Sequence, residues 1–264
     1  MAAAGEVTRR RFLAGAGAVA ASGLMAASPR AWALGGADGS GEPLEFAVLA
    51  DTHINPEEPA HSAQLADVYA HLGARPAPPA FTLHVGDVVE AGQPGEYEEW
   101  DRLQQQAPPG PMHVVRGNHE VRWDERACEP FFARFRRAPY SFDAGPLHVV
   151  ALDPTQLLQE PGYVGADQLR WLEADLRRAE DRPTVVFQHY PVGGPHLYVG
   201  NQAELREVLS RFNIAAVFAG HIHRLEVNRQ DGIAMIALPG ILNVAVPRAA
   251  RSGSARVSGC SEGP

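Results

Sequence analysis

The sequence predicts an α/β fold with mixed sheets, built largely from β-α-β units. Short apolar runs of strand length alternate with segments whose apolar residues recur at helical spacing. Five of these runs stop abruptly at an aspartate, an asparagine or a histidine, and ligand sites in open sheets gather outside the carboxyl ends of the strands. An antiparallel pair predicted at 140–142 and 147–152 makes the sheets mixed rather than purely parallel.

The first β-α-β unit is predicted over residues 44–85. Residues 44–50 form an apolar strand that leads into a loop. Residues 62–72 place four apolar side chains on one helical face before Gly73 ends the helix, and residues 81–85 return as the second strand. This is the crossover connection between parallel neighbours in one sheet.

The elements that follow continue the alternation. A polar helix is predicted at 96–106, a strand at 112–116 and a helix rich in Phe and Arg at 124–137. The antiparallel pair turns at residues 143–146, which contain Gly and Pro.

The carboxyl-terminal half repeats the same pattern. Residues 166–180 form the clearest helix, because Leu169, Leu172 and Leu176 share one face. The remaining predicted elements are a strand at 184–188, a helix at 203–212, and strands at 214–219 and 233–238.

Length and composition indicate one large domain. The chain has 264 residues, of which 45% are apolar and 20% charged, enough to bury a full core. The domain is predicted at 44–247, after a Gly-rich linker at 34–43 and before a Ser/Arg/Gly-rich tail at 248–264 that we expect to be disordered. The net charge of −8 becomes −11 without the first 33 residues, and such acidity disfavours nucleic acid as a ligand.

The first 33 residues have the features of an export signal. Three arginines at 9–11 precede an Ala/Gly-rich apolar run and a small-x-small triplet at 31–33. This resembles a twin-arginine signal, so we expect export through the Tat machinery, cleavage after Ala33, a periplasmic or secreted location and no stable membrane span afterwards. The alternatives are an ordinary Sec signal and a membrane anchor, although Gly and Ala dilute the apolar run.

The two cysteines do not have the spacing of a metal site. Cys128 and Cys260 could form a disulfide in an exported protein. Because Cys260 lies in a tail without a core pattern, we expect both to be unpaired.

Eight side chains that can bind a metal ion or a phosphate follow the five strands. They are Asp51 and His53, then Asp87, then Asn118 and His119, then His189, and finally His221 and His223. Two divalent ions about 3.5–4 Å apart can share a carboxylate and a hydroxide, which activates the hydroxide and clamps a phosphoryl group. Hard oxygen ligands and neutral imidazoles suit such a pair. The sequence therefore predicts one site for two divalent ions, with Mn, Fe and Zn as candidates.

The order of these motifs resembles that of the calcineurin-like metallophosphoesterases. The family pattern is Asp-x-His, Gly-Asp, Gly-Asn-His-Asp/Glu, a lone His and Gly-His-x-His, and this chain meets it at residues 51–53, 86–87, 117–120, 189 and 220–223. The resemblance spans residues 46–240 and implies a four-layer β-sandwich flanked by helices.

The resemblance also implies a role for each side chain. One ion would be held by Asp51, His53, Asp87 and His223. The other would be held by Asp87, as a bridge, with Asn118, His189 and His221. His119 would bind no metal. Together with Asn118 it would contact the phosphoryl group, and it would protonate the leaving group. A metal-bridging hydroxide would attack phosphorus in line.

Some positions depart from family patterns. Purple acid phosphatases carry a tyrosine three positions after the bridging aspartate, where this chain has Glu90, so the closer resemblance is to the cyclic-nucleotide phosphodiesterase-like and general phosphoesterase branch. Tyr190 stands where many relatives have a second histidine. Relatives also add a strand or two after the segment matching 233–240, which predicts an uncovered sheet edge here.

Four polar residues near these motifs have two interpretations each. Glu120 either orients His119 or faces solvent. Asp153 is placed like a ligand, but a turn before Pro154 is the preferred interpretation. His61 and His196 lie in loops after ligand-bearing strands, where they either touch substrate or only face solvent.

The function predicted from these observations is that of an exported di-metal phosphoesterase acting on a small phosphomonoester or phosphodiester. One alternative is a cyclic-nucleotide or phospholipid-type phosphodiesterase. Another is a non-catalytic metal- or phosphate-binding protein of the same fold, but such a protein would not need the proton donor His119 beside Asn118.

Overall fold

The computed structural model describes residues 32–34, 44–124, 126 and 128–246. Most of the predicted export signal, the linker from residue 35 onward, the predicted tail at 248–264 and Cys260 lie outside these residues. Among the helices that it describes, none has both the length and the apolar character needed to cross a bilayer.

Ten strands and five α-helices alternate along the described chain. The strands are β1 (Trp32–Leu34), β2 (Leu44–Leu49), β3 (Thr82–His84), β4 (Met112–Val114), β5 (Tyr140–Ala144), β6 (Leu147–Ala151), β7 (Thr184–Phe187), β8 (Ile214–Ala219), β9 (Glu226–Gln230) and β10 (Ile233–Ala237). The helices are α1 (Pro59–Gly73), α2 (Pro94–Gln104), α3 (Cys128–Phe132), α4 (Ala166–Ala179) and α5 (Gln202–Ser210).

The strands form two sheets that are both mixed. The first has the order β1-β2-β3-β4, in which β2, β3 and β4 are parallel and β1 is antiparallel to β2, with Trp32 opposite Phe46. The second has the order β5-β6-β7-β8-β10-β9, with four parallel strands in the centre and antiparallel strands at both edges. The predicted mixed α/β fold is confirmed.

Three apolar clusters divide the molecule into four layers. The central cluster lies between the sheets, where Phe46 stacks on Phe81 and meets Phe218 edge to face. A second cluster joins the second sheet to α4 and α5, and a third joins the first sheet to α1 and α2. Each buried Phe side chain contributes about 1.5–3 kcal/mol to folding. The order of layers is helices, sheet, sheet, helices, as the resemblance implied.

Three elements differ from the sequence prediction. The strand β1 lies where the end of the export signal and the start of the linker were predicted. The strand β9 was not predicted, because its alternating Glu, Asn and Gln side chains are typical of a solvated edge strand and lack an apolar pattern. Of the helix predicted at 124–137, the described residues form only α3, after which the chain turns and Phe135 packs against Phe131. The other predicted helices and strands are present, with ends shifted by a few residues.

The segment after β10 packs beneath the site instead of extending a sheet. A 3₁₀ turn at Ile241–Asn243 buries Ile241 in the cluster under α1. The Ile241 N–H donates to Asp51 O at 3.1 Å, and the Val244 carbonyl accepts from Gln64 at 2.7 Å. This segment therefore supports the loop after β2 on the side that faces α1.

Candidate metal centre

The carboxyl ends of the parallel strands in both sheets meet at one edge. The N–H groups of Asp51 and His53 donate to the carbonyls of Gly86 and Asp87, at 3.1 and 3.0 Å. Across the sheets, the His221 N–H donates to both carboxylate oxygens of Asp51, at 2.9 and 3.1 Å. Backbone N–H groups thus join the loops after β2, β3 and β8, in part through the Asp51 carboxylate.

One group of side chains forms a first candidate ion site. Its ligand atoms lie within 4.8 Å of one another and belong to Asp51, His53, Asp87 and His223. His53 Nε2 is 3.1 Å from His223 Nε2 and 3.6 Å from Asp87 Oδ2. Two imidazole nitrogens and two carboxylates that converge in this way match the donors that a divalent transition metal prefers.

A second group shares Asp87 with the first. Asp87, His189 and His221 bring one ligand atom each within 4.8 Å of one another, and His189 Nε2 is 3.3 Å from Asp87 Oδ2. Asn118 Oδ1 points between the two rings, 2.8 Å from His189 Nε2 and 3.0 Å from His221 Nδ1. The residues present could therefore hold two ions with one carboxylate between them.

The backbone is strained at this edge. Eight non-glycine residues in the described ranges have positive φ, and five of them are predicted ligands: Asp51, His53, Asp87, His221 and His223. Each such conformation costs about 1–3 kcal/mol and persists where the surroundings enforce it, most often at functional sites. The strained backbone conformations direct the side chains of these five residues toward the shared site.

Gly117 allows the loops after β3 and β4 to approach each other. A Cβ atom at Gly117 would overlap the Asp87 carboxylate and lie 2.5 Å from the Asp87 nitrogen. No other residue fits here without moving the Asp87 loop, which explains why glycine precedes Asn118.

Burial and charge perturb the titration of the ligands. Burial raises the pKa of Asp51 to about 7 and lowers that of His221 to about 3. Burial opposes ionisation of Asp87 and His189 as well, but their mutual attraction prevails, which lowers the pKa of Asp87 and raises that of His189 to about 9. Buried carboxylates need compensating positive charge. Divalent ions would supply it and favour the deprotonated ligands that metal binding requires.

Comparison with known proteins identifies the family. Residues 44–225 match the sequence profile of the calcineurin-like phosphoesterases, which is more than half of the chain. This protein belongs to the calcineurin-like phosphoesterase family. The prediction of a metal-dependent phosphoric ester hydrolase is thereby confirmed.

The phosphoesterase resembles proteins with different named substrates. It is 28% identical to the glycerophosphodiester phosphodiesterase GpdQ of Enterobacter lignolyticus, over 67% of this chain and 68% of that protein. It is 28% identical to the mouse serine/threonine-protein phosphatase CPPED1, over 76% of this chain and 66% of that protein. The structure of a purple acid phosphatase from yellow lupin superposes with a TM-score of 0.55 at 15% identity, over 76% of this chain and 47% of that one. This last likeness concerns the fold alone.

His119 lies beside the two ion sites of the phosphoesterase. Its N–H donates to Asp87 Oδ1 at 2.9 Å, and its Nε2 is 4.0 Å from Asp87 Oδ2. Nδ1 lies 2.5 Å from the Glu90 carbonyl and therefore carries the proton, whereas Nε2 accepts from Arg122 Nη2 at 2.9 Å. Burial lowers the pKa of His119 against the opposing charge of Asp87.

Glu120 takes neither of the roles considered from the sequence. Its side chain is completely buried and accepts from the N–H groups of Gly117, Asp87, Val88 and Val89, at 2.7 to 3.1 Å. It therefore holds the Asp87 loop rather than orienting His119 or facing solvent. The spacing of three residues between Gly117 and Glu120 was the signal for this capping contact.

Three polar side chains near the site were missed in the sequence. Glu90 Oε2 lies 2.8 Å from His53 Nδ1, so that it orients the ring as carboxylates orient metal-binding imidazoles. The position of Glu90, three residues after Asp87, was the feature of the sequence that could have predicted this contact. Arg122 and Glu160 contact His119 and Asn118, and their separation by 38 positions leaves no sequence signal for the pair.

The remaining candidates lie at different distances from the ligands. The ring of His61 is 6.2 Å from that of His53. His196 bonds Glu226 at 2.7 Å and reaches the site only through Tyr198, whose ring contacts His221. Asp153 forms the expected turn, accepting from the Thr155 N–H at 3.0 Å.

Proposed function

We propose that this phosphoesterase hydrolyses a small phosphate ester with two divalent ions, and that it is exported. The proposal is carried by the two groups of ligand atoms that share Asp87 beside His119. One ion would be held by Asp51, His53, Asp87 and His223, and the other by Asp87, Asn118, His189 and His221. Two ions there would activate water for attack on phosphorus and neutralise the phosphoryl oxygens.

His119 is proposed as the general acid. Its position next to the shared carboxylate places Nε2 toward the space where a phosphoryl group on the ions would lie. The N–H of Nδ1 is engaged by the Glu90 carbonyl, which fixes the ring and leaves Nε2 for proton exchange. In the imidazolium form, Nε2 would also carry a proton, and its transfer to the leaving oxygen would avoid release of an alkoxide and return the ring to the neutral form.

A second candidate is a phosphodiester with an apolar or aromatic ester group, of cyclic-nucleotide or phospholipid type. Of the eight exposed large apolar side chains in the described residues, seven lie in the loops at the site edge of the sheets. They are Trp123, Leu157, Leu158, Tyr163, Leu197, Leu225 and Leu242. Their position in loops at the same edge as the predicted ligands favours contact with an apolar substituent of the ester.

Export is proposed from the arginines and the apolar run of the first 33 residues. Fusion of these residues to a reporter, in bacterial strains with and without the Tat translocase, tests it. Transport that requires the translocase and is abolished by replacing both Arg9 and Arg10 with Lys supports the proposal. Transport that is indifferent to both changes supports a Sec signal.

Hydrolysis of 4-nitrophenyl phosphate and of bis(4-nitrophenyl) phosphate by the purified protein tests the activity. We expect turnover that depends on added Mn, Fe or Zn, with about two ions per chain at saturation. Two bound ions without hydrolysis of any ester would instead support the metal- or phosphate-binding protein. The ratio of the two rates ranks monoester against diester.

A further inference from the structure

Arg122 places a positive charge at the mouth of the site. Nη2 lies 2.9 Å from His119 Nε2, the nitrogen proposed to face the substrate. Backbone geometry fixes this position, because the Arg122 N–H donates to the carbonyl of Asn118 at 2.9 Å. The guanidinium also lies over the Trp123 ring, 4.3 Å from its centroid. An arginine supported in this way is well suited to bind a phosphoryl oxygen.

Glu160 occupies the position of an anion between the same groups. Its Oε2 accepts from Arg122 Nη1 at 2.6 Å, and its Oε1 accepts from Asn118 Nδ2 at 3.3 Å. The carboxylate is half-exposed, and its backbone carbonyl is anchored by the Tyr190 hydroxyl at 2.5 Å. The Glu160 carboxylate therefore bridges Asn118, which is a predicted ligand of both metal and substrate, and the Arg122 guanidinium. A phosphoryl group would bridge the same two side chains.

The Arg122 side chain keeps an unused donor in this arrangement. Its Nε is buried and has no hydrogen-bond partner among the described residues. A buried N–H without a partner is costly, so the arrangement seen here does not use the full donor set of the guanidinium. A tetrahedral anion at the mouth offers more acceptors than Glu160 alone.

We propose that Arg122 is a substrate-contacting residue that binds a phosphoryl oxygen, and that Glu160 occupies this position until the substrate displaces it. The proposal rests on the proposed function, because it places the phosphoryl group at the two-ion site. A monoester dianion carries more charge than a diester monoanion, so the loss of Arg122 should affect monoesters more strongly.

Binding of inorganic phosphate to the Mn-loaded protein, measured by calorimetry, tests the proposal. Arg122→Gln should weaken phosphate binding about 10- to 100-fold, the range for losing a hydrogen bond between charged groups. Glu160→Gln should strengthen it about two- to fivefold, as expected when a half-exposed ion pair is released. In the double variant, the gain from Glu160→Gln should vanish, because the freed cation is gone.

Arg134→Gln is the matched control. Arg134 also pairs with a carboxylate, Asp101 at 2.6 Å, and also lies over an aromatic ring, that of Tyr97. Its side chain is 26% exposed, against 25% for Arg122. Phosphate binding and thermal midpoint should equal those of the wild type.

Equal phosphate binding by Arg122→Gln and Arg134→Gln would overturn the proposal. The rates supply a second readout, since kcat/KM should fall further for the aryl monoester than for the diester in Arg122→Gln. If the wild type binds phosphate through Arg122 but hydrolyses no ester, the proposed function fails and the assignment of Arg122 stands. If the wild type hydrolyses esters and Arg122→Gln binds phosphate normally, the assignment of Arg122 fails and the proposed function stands.

Discussion

The carboxylate of Glu120 accepts the backbone N–H of Asp87 at 3.1 Å, which joins the loop after β4 to the loop that supplies the shared ligand. The same carboxylate accepts the N–H groups of Val88, Val89 and Gly117. A single buried side chain thereby satisfies four donors and sets the position of Asp87 relative to Asn118.

Glu120→Gln should destabilise the protein by about 2–4 kcal/mol, because one amide oxygen replaces two acceptors and an amide N–H faces backbone donors. Denaturant unfolding measures the loss, and the metal count should fall with it. Glu99→Gln is the control, since Glu99 pairs with Arg102 on the surface of α2 and should change stability by less than about 1 kcal/mol. Equal unfolding midpoints for the two variants would contradict the supporting role.

Asp87→Asn should lower the occupancy of both ions together. Its carboxylate is the member common to the two ligand groups, and an amide is a weaker, uncharged ligand. Metal content measured after dialysis at several free Mn concentrations gives the occupancy. Asp101→Asn, which alters an exposed ion pair with Arg134, should leave the count unchanged. Loss of one ion while the other stays bound would disprove the shared role.

His119→Ala should retain about two ions and reduce turnover by about 10²- to 10⁴-fold, the range for loss of a general acid. The deficit should be smaller for esters with good leaving groups, which need less protonation, and larger for alkyl esters. His71→Ala, on α1 away from the ligands, should behave like the wild type. A deficit that does not vary with the leaving group would argue against proton donation by His119.

His148 predicts a pH-dependent contribution to stability at the end of the sheet opposite the metal centre. Its ring lies between Asp143 and Asp175, at 2.7 and 2.9 Å. Burial lowers the pKa of His148, but the hydrogen bonds to Asp175 and Asp143 outweigh it, and the net pKa is raised above 6.5. The hydrogen bond from His148 lowers the pKa of Asp143. Burial opposes ionisation of Asp175, but the hydrogen bonds from His148, Ser141 and Arg178 together lower its pKa.

A raised folded-state pKa means that His148 contributes its full stabilisation below 6.5 and loses it as the pH rises through the folded value. The two aspartates contribute above 3.8 and lose their contribution as the pH falls. His148→Gln should therefore cost about 1–3 kcal/mol between these limits and less at higher pH. Denaturant unfolding within these limits and at higher pH measures this cost in free energy. The metal content should be unaffected. A cost that stays constant as the pH rises would contradict the charged state of His148.

The order of the predicted ligands along the strand ends follows from the sequence alone. Each of the runs before Asp51, Asp87, Asn118, His189 and His221 is a strand with buried or partly buried side chains, and parallel strands place their carboxyl ends at one edge of a sheet. The central strands and most helices were predictable for the same reason, since burial on a sheet or helix face leaves an apolar period in the sequence.

Polar partners leave no such period. The strand β9 was missed because a solvated edge needs no apolar alternation, and Glu90 and Glu120 gave only short spacings that fit several roles. Arg122 and Glu160 meet across 38 positions, where neither residue marks the other. Local apolar periodicity along the chain is enough to predict the fold class and the set of side chains at the strand ends. The carboxylates and cations that surround that set are defined only in the folded molecule, because hydrogen bonds and ion pairs depend on distances in space that sequence separation does not record.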